Sequence, residues 1–244
     1  MSTLGVFIIT GASGGLGSSL ARAAYSAGFP VALIARSKPD LERLAKELKS
    51  LMPKGALISI HPLDLTREKH VEAEIAKIKK LHGSIRALIN NAAQWMGSTS
   101  AQKLKASDIQ KSLDINFYTA LHATQSTLRA EKPGKSKELA IINVGATSSL
   151  DGWMEVLPFC IAKGALRTMT RAFARDQGPQ GAHFAHVVID GVLDNARTRG
   201  LNPGYSKDRF MKTELVAKGI LEVALQERSC WTLEWDVRPY HENW

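Results

Sequence analysis

Val6-Phe7-Ile8-Ile9-Thr10-Gly11-Ala12-Ser13-Gly14-Gly15-Leu16-Gly17 is the stretch that decides the fold. An apolar run enters a glycine-rich turn, and Leu20, Ala23, Ala24 and Ala27 follow at helical spacing, so the segment reads as strand, turn and helix. Glycines at 11, 15 and 17 allow a tight turn and a close approach of backbone to ligand. The helix that follows offers unpaired N–H groups and the positive end of its dipole. A pyrophosphate is the natural guest, which makes Thr10, Gly11, Ser13, Gly14, Gly15, Leu16 and Gly17 candidate cofactor-binding residues. The spacing is Gly-x-x-x-Gly-x-Gly, not the commoner Gly-x-Gly-x-x-Gly, and a glycine turn without a ligand is the plain alternative.

Outward from that turn, strand and helix alternate. Strands are expected at Val31–Ala35, Ala56–Ile60, Ile85–Ile89, Leu139–Val144, Phe184–Ile189 and Cys230–Trp235. Helical stripes run through Leu41, Leu44 and Leu48 and through Val71, Ile75 and Ile78, and three further helices are expected at Asp108–Arg129, Phe159–Arg175 and Leu215–Ala224. This alternation implies an α/β domain with a doubly wound parallel sheet and helices on both faces. No linker divides the 244 residues, so residues 1–244 are read as one domain. The weakly periodic segment at about 191–213 reads as a lid over the site.

Ligands in such sheets lie beyond the carboxyl ends of the strands, so the residues following each strand matter most. After the second strand stands Arg36, preceded by Ala35 where an acid would bind the ribose hydroxyls of NAD; an arginine there suits the 2′-phosphate of NADP. Asp64 either accepts from an adenine amino group or caps its own turn. Asn90 and Asn91 either hold cofactor hydroxyls or serve the turn alone. Asp190 reads as a strand-end turn residue, the alternative being a buried acid near a nicotinamide. His183 and His186, three apart on a strand, point to opposite faces and cannot share a metal, so no metal site is expected.

Thr10-Gly11-x-x-x-Gly15-x-Gly17, Asn90-Asn91-Ala92-Ala93, Asn116 and Lys163 together resemble the short-chain dehydrogenase/reductase family, in the right order and over nearly the whole chain. The resemblance implies a single-domain Rossmann fold with seven parallel strands in the order 3-2-1-4-5-6-7, NAD(P)-dependent oxidoreductase activity, and a homodimer or homotetramer. It implies that Asp64 and Leu65 meet the adenine, Asn90, Asn91 and Ala92 the adenosine ribose, and Lys163 the nicotinamide ribose, with Gly191 and Leu193 also in the cofactor set. Asn116 and Lys163 are the catalytic residues that the resemblance implies are retained.

The resemblance breaks at its chemical centre. The family's Tyr-x-x-x-Lys motif reads Phe159-Cys160-Ile161-Ala162-Lys163 here, so the phenolic proton donor is missing. Its substrate-binding serine, thirteen residues earlier, is Ala146, with Thr147, Ser148 and Ser149 following. A positioned general acid contributes roughly a hundred- to ten-thousand-fold, so the family's ordinary ketone reduction is not expected. The expectation is an NADP(H)-dependent oxidoreductase, preferring NADP(H) to NAD(H) and acting on a small carbonyl or alcohol by altered chemistry. Thr147 or Ser148 would polarise the substrate, with Tyr205 and Lys207 as possible stand-ins for the phenol. A catalytically inactive NADP(H)-binding sensor or partner protein is the alternative. Trp95, Met96, Trp153 and Met154 suggest an apolar substrate pocket, with core or oligomer contacts as the alternative.

Composition narrows the remaining classes. The net charge of +9 and pI near 9.6 invite a nucleic-acid reading, but the basic residues are scattered on helix faces such as Lys38, Arg43, Lys46 and Lys49, so no nucleic-acid partner is expected. No apolar run reaches the roughly 18 residues of a membrane span, and Leu4–Ile9 lacks the features of a signal peptide, so a cytoplasmic protein without membrane contact is expected. Cys160 and Cys230 are expected to be buried free thiols.

Overall fold

A computed structural model describes residues 4–52, 55–97, 100–134 and 138–242. The first unit is β1 (Val6–Thr10), α1 (Gly15–Ser26) and β2 (Val31–Ala35), followed by α2 (Lys38–Leu51), β3 (Ile58–Pro62), α3 (Glu68–His82) and β4 (Ile85–Asn90). The chain continues through α4 (Ala106–Leu113), α5 (Thr119–Ala130), β5 (Leu139–Val144), α6 (Leu157–Gln177) and β6 (Ala182–Ile189). It closes with β7 (Val192–Leu193), α7 (Ala196–Leu201), β8 (Phe210–Met211), α8 (Thr213–Ala224) and β9 (Glu234–Val237).

Seven strands form one parallel sheet in the order β3-β2-β1-β4-β5-β6-β9, the topology expected, with β9 as its seventh strand. That strand occupies Glu234–Val237 rather than Cys230–Trp235, because β6 sets the register: His186 pairs with Glu234 and Ile189 with Val237. Successive residues of each strand feed opposite layers. Phe7, Ile9, Leu33, Ile89, Ile142 and Val187 pack beneath α1, α2 and α8, and Val6, Ile8, Ile34, Leu88 and Ile141 beneath α3, α5 and α6. Burial on both faces explains why β1, β2 and β5 read as nearly continuous apolar runs, interrupted in β5 by the hydrogen-bonded Asn143.

The single helix expected over Asp108–Arg129 is two helices, α4 and α5, joined by a π-helical turn at Asp114–Tyr118 that carries Asn116. Such bulges widen the hydrogen-bond ladder locally and are frequent at functional sites. The 191–213 segment is not a plain loop. Val192 pairs with Phe210 and Leu193 with Met211, tying its two ends together, and residues 194–209 project beyond that tie. At its foot Ser19 donates to Thr213 Oγ1 at 2.9 Å, anchoring α8 to α1. Cys160 is buried as expected, but Cys230 is exposed, because it lies in the turn before β9 instead of inside a strand.

Strand order reverses between β1 and β4, and the glycine turn leaves β1 at that point. Gly11 and Gly15 take φ values of +66° and +52°, and a Cβ on Gly17 would fall 2.1 Å from Gly11 O, whereas one on Gly14 would meet nothing within 4 Å. Gly17→Ala is therefore expected to lower stability by about 1–3 kcal/mol while Gly14→Ala leaves it nearly unchanged. Denaturant unfolding of both variants checks this, and equal midpoints would contradict it.

Candidate functional site

The glycine turn is held by side chains from across the switch point. Thr10 Oγ1 donates to Ile89 O at 3.2 Å and accepts from the backbone N–H groups of Asn91 and Ala92 at 3.0 and 3.1 Å. Asn91 Nδ2 donates to Thr10 O at 3.0 Å and to Gly11 O at 3.3 Å. Thr10 and Asn91 thus lock the end of β1 to the end of β4. The N-terminus of α1 beyond them has glycine at its cap, no side-chain cap and no acid in its first turn, so its leading N–H groups and dipole are left to a ligand.

Around this turn the other expected cofactor residues take definite places. Arg36 is exposed at the end of β2, where Ser37 caps α2 by accepting from Asp40 N. Asp64 Oδ1 accepts from both the backbone N–H and the hydroxyl of Thr66, at 3.1 and 2.8 Å, and these bonds hold its carboxyl below the usual range, with Arg67 and Arg36 adding to the effect. Leu65 is buried, and its carbonyl is hydrogen-bonded to His122 Nδ1. The carboxamide of Asn90 is turned into the protein, donating to Thr124 Oγ1 and to Asn143 Oδ1, which passes the chain on to Thr170. Asn116 is also buried: it accepts from Gln94 N and donates to Gln94 O, pinning the segment that leaves β4. Gly191, at φ +153°, would place a Cβ 2.8 Å from Met211 Sδ and from Pro239 Cδ. Leu193 O accepts from Thr198 Oγ1, which closes the start of α7.

Phe159 and Lys163 share one face of α6, with Nζ 5.6 Å from the centre of the phenyl ring. Lys163 is buried and donates to Val144 O at 2.7 Å, and burial pulls its pKa down to about 8. The turn after β5 is shaped by a pair that sequence reading missed. Buried His186 Nε2 lies 3.0 Å from Ser149 Oγ, which accepts from Ala146 N. A Cβ on Gly145 would fall 2.1 Å from that ring nitrogen, so this packing requires glycine. Burial first and Lys163 second drive the His186 pKa to about 3, which keeps the ring neutral beside the lysine.

Thr147 and Asp190 also meet. Thr147 Oγ1 is 2.6 Å from Asp190 Oδ1, and Arg238 lies 3.4 Å from Oδ2 of the same carboxylate. Asp190 is therefore more than a turn residue, a correction to the expectation; the partner that makes the difference, Arg238, is 48 residues away in sequence. Ser148 makes no hydrogen bond to a described residue. On the projecting segment Tyr205 is 38 % exposed and packs under Arg209, and Lys207 stands beside it in a short 3-10 turn. His183 bonds Thr232 O and stacks on Trp231 at 5.0 Å, away from His186. Among the described residues no group of three or more His, Cys, Asp or Glu is arranged to hold a metal, and no helix is long and apolar enough to cross a membrane.

The buried lysine has a measurable consequence. Between about pH 8 and 10.5 the unfolded chain binds a proton at Lys163 that the folded chain does not, so stability should rise with pH over that interval. The rise is on the order of 3 kcal/mol and should vanish in Lys163→Met. Unfolding free energies of both proteins across the interval check this, and parallel curves would contradict it.

Comparison with known proteins agrees with this geometry. The sequence model of the short chain dehydrogenase family matches residues 5–202. An uncharacterized oxidoreductase of Staphylococcus aureus (strain USA300) is 24% identical over 234 residues, covering 96% of each chain. A dehydrogenase/reductase SDR family protein 7-like protein of Anopheles gambiae is 27% identical over 88% of this chain and 63% of its own. Among solved structures, an NADPH-bound short chain oxidoreductase of Pseudomonas aeruginosa PAO1, described as containing an atypical catalytic center, superposes with a TM-score of 0.87 at 20% identity, covering 98% and 96% of the two chains. A variant of actinorhodin polyketide ketoreductase with NADPH gives 0.85 at 19% identity, covering 97% and 96%. With the fold, the switch-point turn and the family match in agreement, this chain belongs to the short-chain dehydrogenase family of oxidoreductases.

Proposed function

We propose that the protein binds NADP(H) in preference to NAD(H) and interconverts a small alcohol and its carbonyl by chemistry that does without the family's tyrosine. The observation that carries the reading is the uncapped glycine-flanked N-terminus of α1 with open space over Gly14, a cradle that fits a pyrophosphate. Residues Thr10 to Gly17 would hold the phosphates. Arg36 is an exposed cation at the end of the strand where NAD-binding sites place an acid, which supports recognition of the 2′-phosphate. Asp64 and Leu65 would flank the adenine, Asn91 and Ala92 the adenosine ribose, Gly191 and Leu193 the nicotinamide end. The nicotinamide, when bound, supplies or accepts hydride.

The chain's own residues orient and exclude. Lys163 brings an amine to the reaction centre from a dry site, where it would hold the nicotinamide ribose. Asn116 fixes the Gln94 backbone and so the wall carrying Trp95 and Met96. The segment at about 191–213 would act as a lid, hinged at the β7–β8 tie, with Leu201 65 % exposed on its outer part. Orientation alone contributes several kcal/mol to a transfer between bound partners, so loss of the phenol is compatible with turnover. A homodimer or homotetramer is part of the proposal, supported by the apolar Tyr118 and Ile161 left exposed on the helical layer.

The test is a titration with NADPH and NADH side by side, followed by tryptophan quenching, in wild type and Arg36→Ala. The expected result is tighter NADPH binding in wild type, a loss of about tenfold or more in the variant, and little change for NADH. Equal affinities for the two nucleotides in wild type would reject the NADP(H) preference, and binding of neither would reject the function. Binding without turnover, if Phe159→Tyr also leaves the protein inactive, would favour a sensor or partner role over an enzyme.

A further inference from the structure

The direction of one hydrogen bond says which proton the site can move. Among the described residues Thr147 Oγ1 has two neighbours within hydrogen-bonding reach, Asp190 Oδ1 at 2.6 Å and Ile189 O at 3.5 Å. Both are acceptors: one is a carbonyl, the other a carboxylate in an ion pair with Arg238. A hydroxyl has one proton, so the Thr147 proton points inward and the oxygen turns its lone pairs outward. While Asp190 is ionised, a group so arranged does not donate to a substrate carbonyl, so the polarising role expected of Thr147 belongs to the protonated state of Asp190 alone. The ionised arrangement can accept from a substrate hydroxyl.

The place is right for this. Thr147 follows β5 and Asp190 follows β6, both at the carboxyl ends of strands where ligands bind in such sheets. Thr147 is next to Ala146, and Asp190 next to Gly191. Side-chain exposure at Asp190 is 14% and at Arg238 17%, so the pair is shielded but reachable by a proton leaving for solvent. Arg238 is itself fixed by Asp236 at 2.6 Å, and the backbone N–H of Asp190 by Val237 O at 2.9 Å.

We propose, resting on the reading above, that Thr147 is the group that takes the proton of a substrate alcohol, relaying it to Asp190, which Arg238 holds in place. In the oxidation, the substrate C–H bond breaks with its electron pair as hydride passes to oxidised nicotinamide, and the alcohol becomes a carbonyl. The O–H proton moves to Thr147 Oγ1 as the Thr147 proton moves to Asp190 Oδ1, and Asp190 releases it to solvent. Reduction is the reverse and begins from protonated Asp190. Thr147 is then a catalytic residue, and Asp190 acts through it.

Two measurements test this. In nucleotide-free protein, the carboxylate band assigned to Asp190 by its loss in Asp190→Asn should move in Thr147→Val and stay in Thr147→Ser; an unmoved band in Thr147→Val overturns the relay. With NADP+ and a panel of alcohols from ethanol to cyclohexanol, Thr147→Val should slow oxidation about a hundredfold with NADP+ affinity unchanged, and Thr147→Ser should retain the rate within about threefold. The wild-type rate should fall as a curved, two-proton function of solvent deuterium content. Oxidation that Thr147→Val leaves intact, or a linear one-proton dependence, overturns the proposal while leaving the cofactor reading standing; failure to bind NADP+ rejects that reading instead.

Discussion

Two side chains, Thr10 and Asn91, carry the hydrogen bonds on which the site depends. Parallel strands that diverge at a switch point leave a crevice between their ends, and nothing in the sheet ladder itself fixes the turn that leaves one strand to the tip of the next. Here that job falls to a single hydroxyl, which donates once and accepts twice, and to one carboxamide that ties down two carbonyls. The glycines make the turn possible; the Thr10–Asn91 lock makes it unique. Because Gly17 packs against Gly11 O, the start of α1 is held tightly against the turn.

Beneath the crevice lies a layer of buried polar groups on β4, β5, β6, α5 and α6. Thr124, Asn90, Asn143 and Thr170 form one hydrogen-bonded chain through the sheet. Lys163 and His186 are buried close together, the lysine depressed by burial and the histidine held neutral by burial and by the lysine's charge. Desolvated groups of this kind work against stability and are retained where chemistry needs them. Phe159 sets an apolar ring against Nζ, and Asp190 with Thr147 places a carboxylate-backed hydroxyl at the neighbouring strand ends.

Much of the fold was legible because its causes are local. Alternating apolar runs and helical stripes fixed the strand–helix order, and Gly11, Gly15 and Gly17 marked the turn. What escaped were features whose causes lie far away in sequence. The π-turn at Asp114–Tyr118 has no local signal beyond an otherwise continuous helical pattern. The start of β9 is set by its pairing with β6, not by Cys230–Trp235 itself. Ser149 and His186 are 37 residues apart, Ser19 and Thr213 194, and only packing brings them together. Gly145 offered a clue, since a glycine ending a buried strand signals a close approach, though not of what. Asn90 was legible as a strand-end residue, but not that its amide faces inward, because orientation at a strand end depends on neighbours the sequence does not align.

The central claim is that the crevice above the β1–β4 switch point is a dinucleotide site, and hydrogen–deuterium exchange resolved to single amides with and without NADP+ tests it most directly. The account predicts slowed exchange at the N–H groups of residues 13–18 at the start of α1 and across the 191–213 segment, with α3 and the outer face of α2 unchanged. Protection confined to other surfaces, or none at saturating nucleotide, would contradict it.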